Sequence, residues 1–95
     1  MHIHWSARAR RHLISIRNFI ATDNPAAAAT VAARLSHAVE LLRDQPYIGR
    51  LGRIPGTREL VITGTPYVVA YTLLNRERVE ILAVMHGAQK WPATF

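Results

Sequence analysis

"ELVITGTPYVVAYTLLNRERVEILAVM", residues 59–85, holds three runs of β-branched and aromatic residues cut by "GTP" and "NRER". Such runs read as strands, because branched and ring side chains pack well on a pleated surface while the interruptions turn the chain. Connections this short join neighbours, so the stretch predicts a three-stranded meander. Alternation puts Tyr67, Val69, Tyr71 and Leu73 on one face of the middle strand, and Val68, Ala70, Thr72 and Leu74 on the other. Both faces are apolar; one therefore meets a second layer, and the other is partly covered or forms a binding surface. By the same period His86, closing the last strand, shares a side with Glu80, Leu82 and Val84.

Upstream the pattern changes to a helical one. "TDNP", residues 22–25, separates two amphipathic stretches, since the residue before Pro25 is biased away from helix and proline suits a first helical position. Asn24 is the predicted cap of a helix reaching about Arg43, with Ala28, Val31, Leu35, Val39 and Leu42 as its apolar stripe. Before it, Ser6 caps a helix that lines up Ala9, Leu13, Ile16 and Ile20 and leaves Arg8, Arg11 and Asn18 on other faces. So short a turn predicts an antiparallel helical hairpin. "HIHW", residues 2–5, alternates as a brief strand. The prediction is an α+β fold, a small mostly antiparallel sheet packed against an N-terminal helical hairpin, built as one domain over residues 1–95.

Composition narrows the partners. Lys and Arg exceed Asp and Glu by six, and all but one of those twelve cations are arginine. Guanidiniums favour forked recognition of phosphate or carboxylate, so the excess suits nucleic acid, a nucleoprotein surface or an acidic protein, unless it serves only solubility. The absence of cysteine excludes disulfides, thiol nucleophiles and thiolate metal sites. No apolar run approaches a membrane span and no signal-peptide core precedes the first helix, which makes the cytoplasm the expected compartment.

The cations concentrate in "PYIGRLGRIPGTREL", residues 46–60, where Arg50, Arg53 and Arg58 sit among Gly49, Gly52 and Gly56. Glycine lets a backbone turn sharply or approach a ligand, and clustered guanidiniums clamp phosphates or stabilise transition-state charge. The plain alternative is a solvated connector. No Lys-Ser or Lys-Thr follows the glycines, so this is no P-loop. His86 is of the residue type that transfers protons near neutrality, or is a hydrogen-bonded structural histidine. Trp91 stacks a base or packs the tail onto the sheet. His2 and His4 share a strand face but lack a third ligand, and neither a metal nor another cofactor is expected.

The order of "IHWSARARRHL", "NPAAA", "GRLGRIPGTREL", "PYVVAYTL" and "VEILAVMHGAQKWP" along the whole chain resembles the RelE/ParE superfamily of bacterial toxins. The resemblance implies the fold already read, a cognate acidic antitoxin, and growth arrest when that antitoxin is lost. It also implies one of two activities. RelE-like members cleave messenger RNA on the ribosome without a metal, and ParE-like members inhibit DNA gyrase and cut nothing. Ribosome-dependent cleavage is the favoured expectation, with Arg58 and His86 as catalytic residues and Arg50, Arg53, Gln89, Lys90 and Trp91 binding RNA or another target. Two positions depart from the RelE-like pattern: Val68 stands where many relatives carry arginine, and Gly87 lies near the place of another.

Overall fold

The computed structural model describes all 95 residues. In chain order it contains β1 (His2–Trp5), α1 (Ala7–Asp23), α2 (Pro25–Glu40), β2 (Arg50–Leu51), β3 (Arg58–Val61), β4 (Tyr67–Asn75) and β5 (Arg78–His86). The helices begin where local chemistry dictates. Ser6 Oγ accepts the Ala9 N–H at 3.0 Å, and Asn24 Oδ1 accepts the Ala27 N–H at 3.0 Å. Each bond satisfies an amide with no partner inside its helix. α2 stops at Glu40, three residues short of the expected end, because Leu41–Arg43 tighten into a 3-10 turn.

The strands form one sheet in the order β1-β5-β4-β3-β2, with β1 parallel to β5 and every other pair antiparallel. The helical hairpin covers one face, where Leu35, Val39 and Leu42 pack on Val69, Tyr71, Val79 and Ile81 in a fully buried cluster. On the opposite face Ala70, Ala83 and Met85 form a smaller cluster beneath Trp91 and Phe95 of the C-terminal tail. The tail thus supplies the second layer for the middle of that face.

Two features differ from the sequence-based expectation. The arginine loop contributes β2, pairing Arg50 with Glu59 and Leu51 with Arg58; two residues are too few to show a period. Along β5, Ala83 pairs with Ala70 but Ile81 pairs with Tyr71, so the register slips at Leu82. The slip inverts the alternation beyond it. His86, opposite Tyr67, lies on the helix-covered side with Val84 and Ile81, whereas Glu80, opposite Thr72, faces the other way. Ser6 fixes the slipped segment from outside the sheet. Its N–H donates to the Ile81 carbonyl at 3.0 Å and its hydroxyl to the Leu82 carbonyl at 3.1 Å.

Candidate functional site

The arginine loop is anchored from within the sheet. The Tyr71 hydroxyl, on a fully buried side chain, donates to the Pro46 carbonyl at 2.8 Å and accepts the Gly49 N–H at 2.9 Å. A Cβ on Gly49 would lie 2.6 Å from that hydroxyl and 2.9 Å from the Glu59 carbonyl, so the close approach requires glycine. Gly56, with φ of +78°, turns the far end of the loop.

Between these anchors Arg50 and Arg53 converge on Glu59, which is only 2% exposed. Arg50 Nη2 lies 3.0 Å from Oε1, and Arg53 approaches with Nε 3.1 Å from Oε2 and Nη2 3.1 Å from Oε1. The Arg53 backbone N–H adds a 2.7 Å bond to Oε2. Burial alone would push this carboxyl up, but the bonds from Arg53 and Arg50 outweigh it and hold the pKa below the usual carboxylate value. In the sequence Glu59 stands out only as one of the few acids of the sheet region, because its alignment with Arg50 is set by the β2–β3 register. It is the centre of the cluster.

Arg53 also lies over the indole of Trp91, 3.7 Å from the ring centroid. Trp91 is half-buried, packs against the Ala70, Ala83 and Met85 cluster, and directs Nε1–H at the His86 carbonyl 3.4 Å away. The structure therefore brings Arg50, Arg53 and Trp91 together on the helix-free face. Gln89 and Lys90 lie beside them on the exposed tail.

Arg58 and His86 are held apart. Arg58 sits opposite Tyr71 and His86 opposite Tyr67, on the two strands that flank β4. Four residues along the sheet and two strand spacings across it put their Cα atoms about 16 Å apart. Arg58 also turns outward, away from β5, and its Nη1 donates to the carbonyls of Gly49 at 2.7 Å and Tyr47 at 3.3 Å. His86 Nδ1 accepts the Ala88 N–H at 3.1 Å, its own N–H donates to Gln89 Oε1 at 3.2 Å, and its ring meets Tyr67 edge-on. Arg58→Ala is expected to lower stability by about 1.5–3 kcal/mol, through lost charge-assisted bonds to the loop carbonyls. Thermal unfolding beside a toxicity assay checks this, with activity tracking the folded fraction.

His12 is a further residue that the sequence did not single out. From α1 its Nδ1 accepts the Val84 N–H at 3.1 Å, closing the edge of β5 beyond the reach of β1. Burial, then the charges of Arg8 and Arg11, hold its pKa below the ordinary histidine value. His4 Nδ1 lies 2.6 Å from Glu80 Oε2, and no three His, Asp or Glu side chains converge on a metal position.

This basic α+β chain, with a helical hairpin over a five-stranded sheet and an arginine-rich loop tied to the sheet edge, is a toxin of a type II toxin-antitoxin module. The family model described as "ParE toxin of type II toxin-antitoxin system, parDE" matches residues 3–91, so the chain belongs to this family, within the RelE/ParE superfamily. It is 49% identical to "Putative toxin Y4kP" of Sinorhizobium fredii over 95% of this chain and 92% of that one. It is 36% identical to "Toxin RelE2" of Caulobacter vibrioides over 90% and 93% of the respective chains. A solved structure of the chromosomal ParDE system from P. aeruginosa superposes with a TM-score of 0.81 at 20% identity, covering 90% of this chain and 95% of that one. That likeness is one of fold. An antitoxin partner follows from membership of a type II module.

Proposed function

We propose that this toxin arrests growth by binding its target, with DNA gyrase as that target and an acidic antitoxin as the partner that neutralises it. The observation that carries this reading is the separation of Arg58 from His86. Cleavage by the expected pair would need a cation and a proton-transfer group on one phosphate, whereas these two are about 16 Å apart at Cα, and Arg58 is turned onto the loop carbonyls. Arg50 and Arg53 point the same way, since Glu59 and Trp91 engage them. A surface organised like this presents shape and residual positive charge, which suits recognition of a protein or nucleoprotein.

One observation favours metal-independent cleavage of messenger RNA on the ribosome as a second reading. His86 lines a cleft of about 150 Å³ with Ser15, Tyr67 and Gln89, and with Nδ1 accepting from Ala88 its neutral ring carries the proton on Nε2. Nε2–H is thereby free to donate a hydrogen bond to a phosphate oxygen, and on this reading Trp91 and Lys90 bind the RNA. Either target is cytoplasmic, and no helix is long and apolar enough to cross a membrane.

Gyrase supercoiling of relaxed plasmid, assayed beside messenger RNA cleavage on programmed ribosomes, separates the readings. The expected result is inhibition of supercoiling by wild type and His86→Ala alike, with the message intact. Cleavage by wild type that His86→Ala loses, on the order of 10²-fold or more, would replace gyrase inhibition with the nuclease.

A further inference from the structure

Pairing of β1 with β5 ends at Ile81, and beyond it side chains close the outer edge of β5. The Ser6 hydroxyl donates to the Leu82 carbonyl at 3.1 Å, His12 Nδ1 accepts the Val84 N–H at 3.1 Å, and Gln89 Oε1 accepts the His86 N–H at 3.2 Å. Three side chains thus do the work of a neighbouring strand, on an edge whose bare amides would otherwise be open to another chain. Of the three, only histidine changes its hydrogen-bonding character near neutral pH.

The bond to Val84 requires a neutral His12, because an imidazolium carries a proton on both nitrogens and accepts nothing. Val84 is 3% exposed, so losing that acceptor leaves a buried N–H without a partner. The surroundings oppose the charge as well. Burial, then the cations of Arg8 and Arg11 on the same helix, disfavour the imidazolium. The two clefts that His12 lines bring Tyr67 from β4, His86 from the end of β5 and Lys90 from the tail, with no Asp or Glu among the lining residues; the last residue, Phe95, lines the wider of the two. At this position charge and bond exclude each other.

We propose that His12 is an acid-sensitive latch: neutral, it holds α1 to the end of β5, and protonated, it lets go of Val84 and loosens residues 84–86 together with the tail that follows them. Since the latched ring must be neutral, latching is complete above the ordinary histidine value of 6.5 and is lost as pH falls through the lower value of the folded state. Gln89, Lys90 and Trp91 lie just beyond the latched segment, so acidity controls how firmly the sheet presents its tail. The latch is independent of the gyrase reading and operates whichever target the toxin binds.

NMR titration of the isotope-labelled full chain across about pH 5–8 tests this. The His12 ring nitrogens should show the Nε2–H tautomer at neutral pH and a midpoint below 6.5, with the Val84 amide signal moving at that same midpoint. Hydrogen-exchange protection of the Val84 amide, corrected for the pH dependence of free-amide exchange, should fall by up to about tenfold per pH unit below about 6.5. His12→Asn places Oδ1 at the same distance along the side chain as Nδ1, accepts without titrating, and should hold that protection constant. His86→Asn keeps an acceptor for the Ala88 N–H and should respond as wild type. A His12 midpoint at or above 6.5, a Val84 amide that follows His86 instead, or protection in the wild type that does not fall would overturn the latch. So would an equal fall in a folded His12→Asn, and if that variant does not fold, the wild-type titration decides alone. No target is present in these measurements, so a negative result leaves the gyrase reading untouched.

Discussion

Replacing Arg50 and Arg53 together by alanine is expected to cost about 3–5 kcal/mol, because it strands a buried carboxylate without its counter-ions. For a chain this short the loss corresponds to a fall in Tm of about 15–30 °C. Glu59 is the group that suffers: it is 2% exposed, while the two arginine side chains are 57% and 41% exposed and would be content in water. The pH dependence identifies the cause. In the wild type the Glu59 pKa is depressed, so its contribution is complete above the ordinary glutamate value of about 4.3 and disappears as pH falls through the folded-state value. In the double variant burial, the largest single influence, is opposed only by the backbone N–H of residue 53, so the pKa rises, and stability should then improve as the solution is acidified toward about 4.3. Thermal melts of both proteins across that range check the inversion. An unchanged Tm would return Arg50 and Arg53 to a role confined to target binding.

The second large effect lies at the other end of the same loop. Tyr71→Phe should destabilise by about 2–4 kcal/mol, since it leaves both the Pro46 carbonyl and the buried Gly49 N–H without a partner. Burial pushes the tyrosine pKa up, so the wild-type hydroxyl keeps the proton that it gives to Pro46 at neutral pH. Gly49→Ala reaches the same place by crowding. Its Cβ would lie 2.6 Å from Oη and 2.7 Å from Cε1 of Tyr71, costing about 3 kcal/mol or more. Because the two changes share an atom, the double variant should cost less than their sum by about 0.5–3 kcal/mol. Urea unfolding of the four proteins of this cycle measures the difference; strict additivity would mean that loop and ring adjust independently.

What the sequence conveyed well was local. Ser6 and Asn24 cap helices through bonds three residues ahead, and the three long strands carry their own β-branched pattern, so no knowledge of the rest of the chain was needed. Interactions set by strand register were hidden. Glu59 looked like one of few acids in a basic chain, and only its alignment with Arg50 across β2 and β3 made it a hub for cations that had been read as facing a polyanion. His86 was placed on a side by counting twos, and one slipped residue at Leu82 reversed the count. His12 offered no motif at all: its partner is a backbone amide 72 residues away. The tail was half legible, because Trp91 packs onto the sheet as one alternative required, but its guanidinium partner came from the loop.

The parallel pairing of β1 with β5 also bears on when the toxin comes into being. His2–Trp5 lie alongside Arg78–Ile81, so the first strand made has its only sheet neighbour in the last one. At a synthesis rate of about 5–20 residues per second, several seconds separate the two segments, and β1 spends them unpaired. A topology closed by such distant contacts also folds slowly compared with a helical bundle. The sheet is therefore complete only once Arg78–His86 has been made, and no shorter stretch of the emerging chain presents the whole toxin fold.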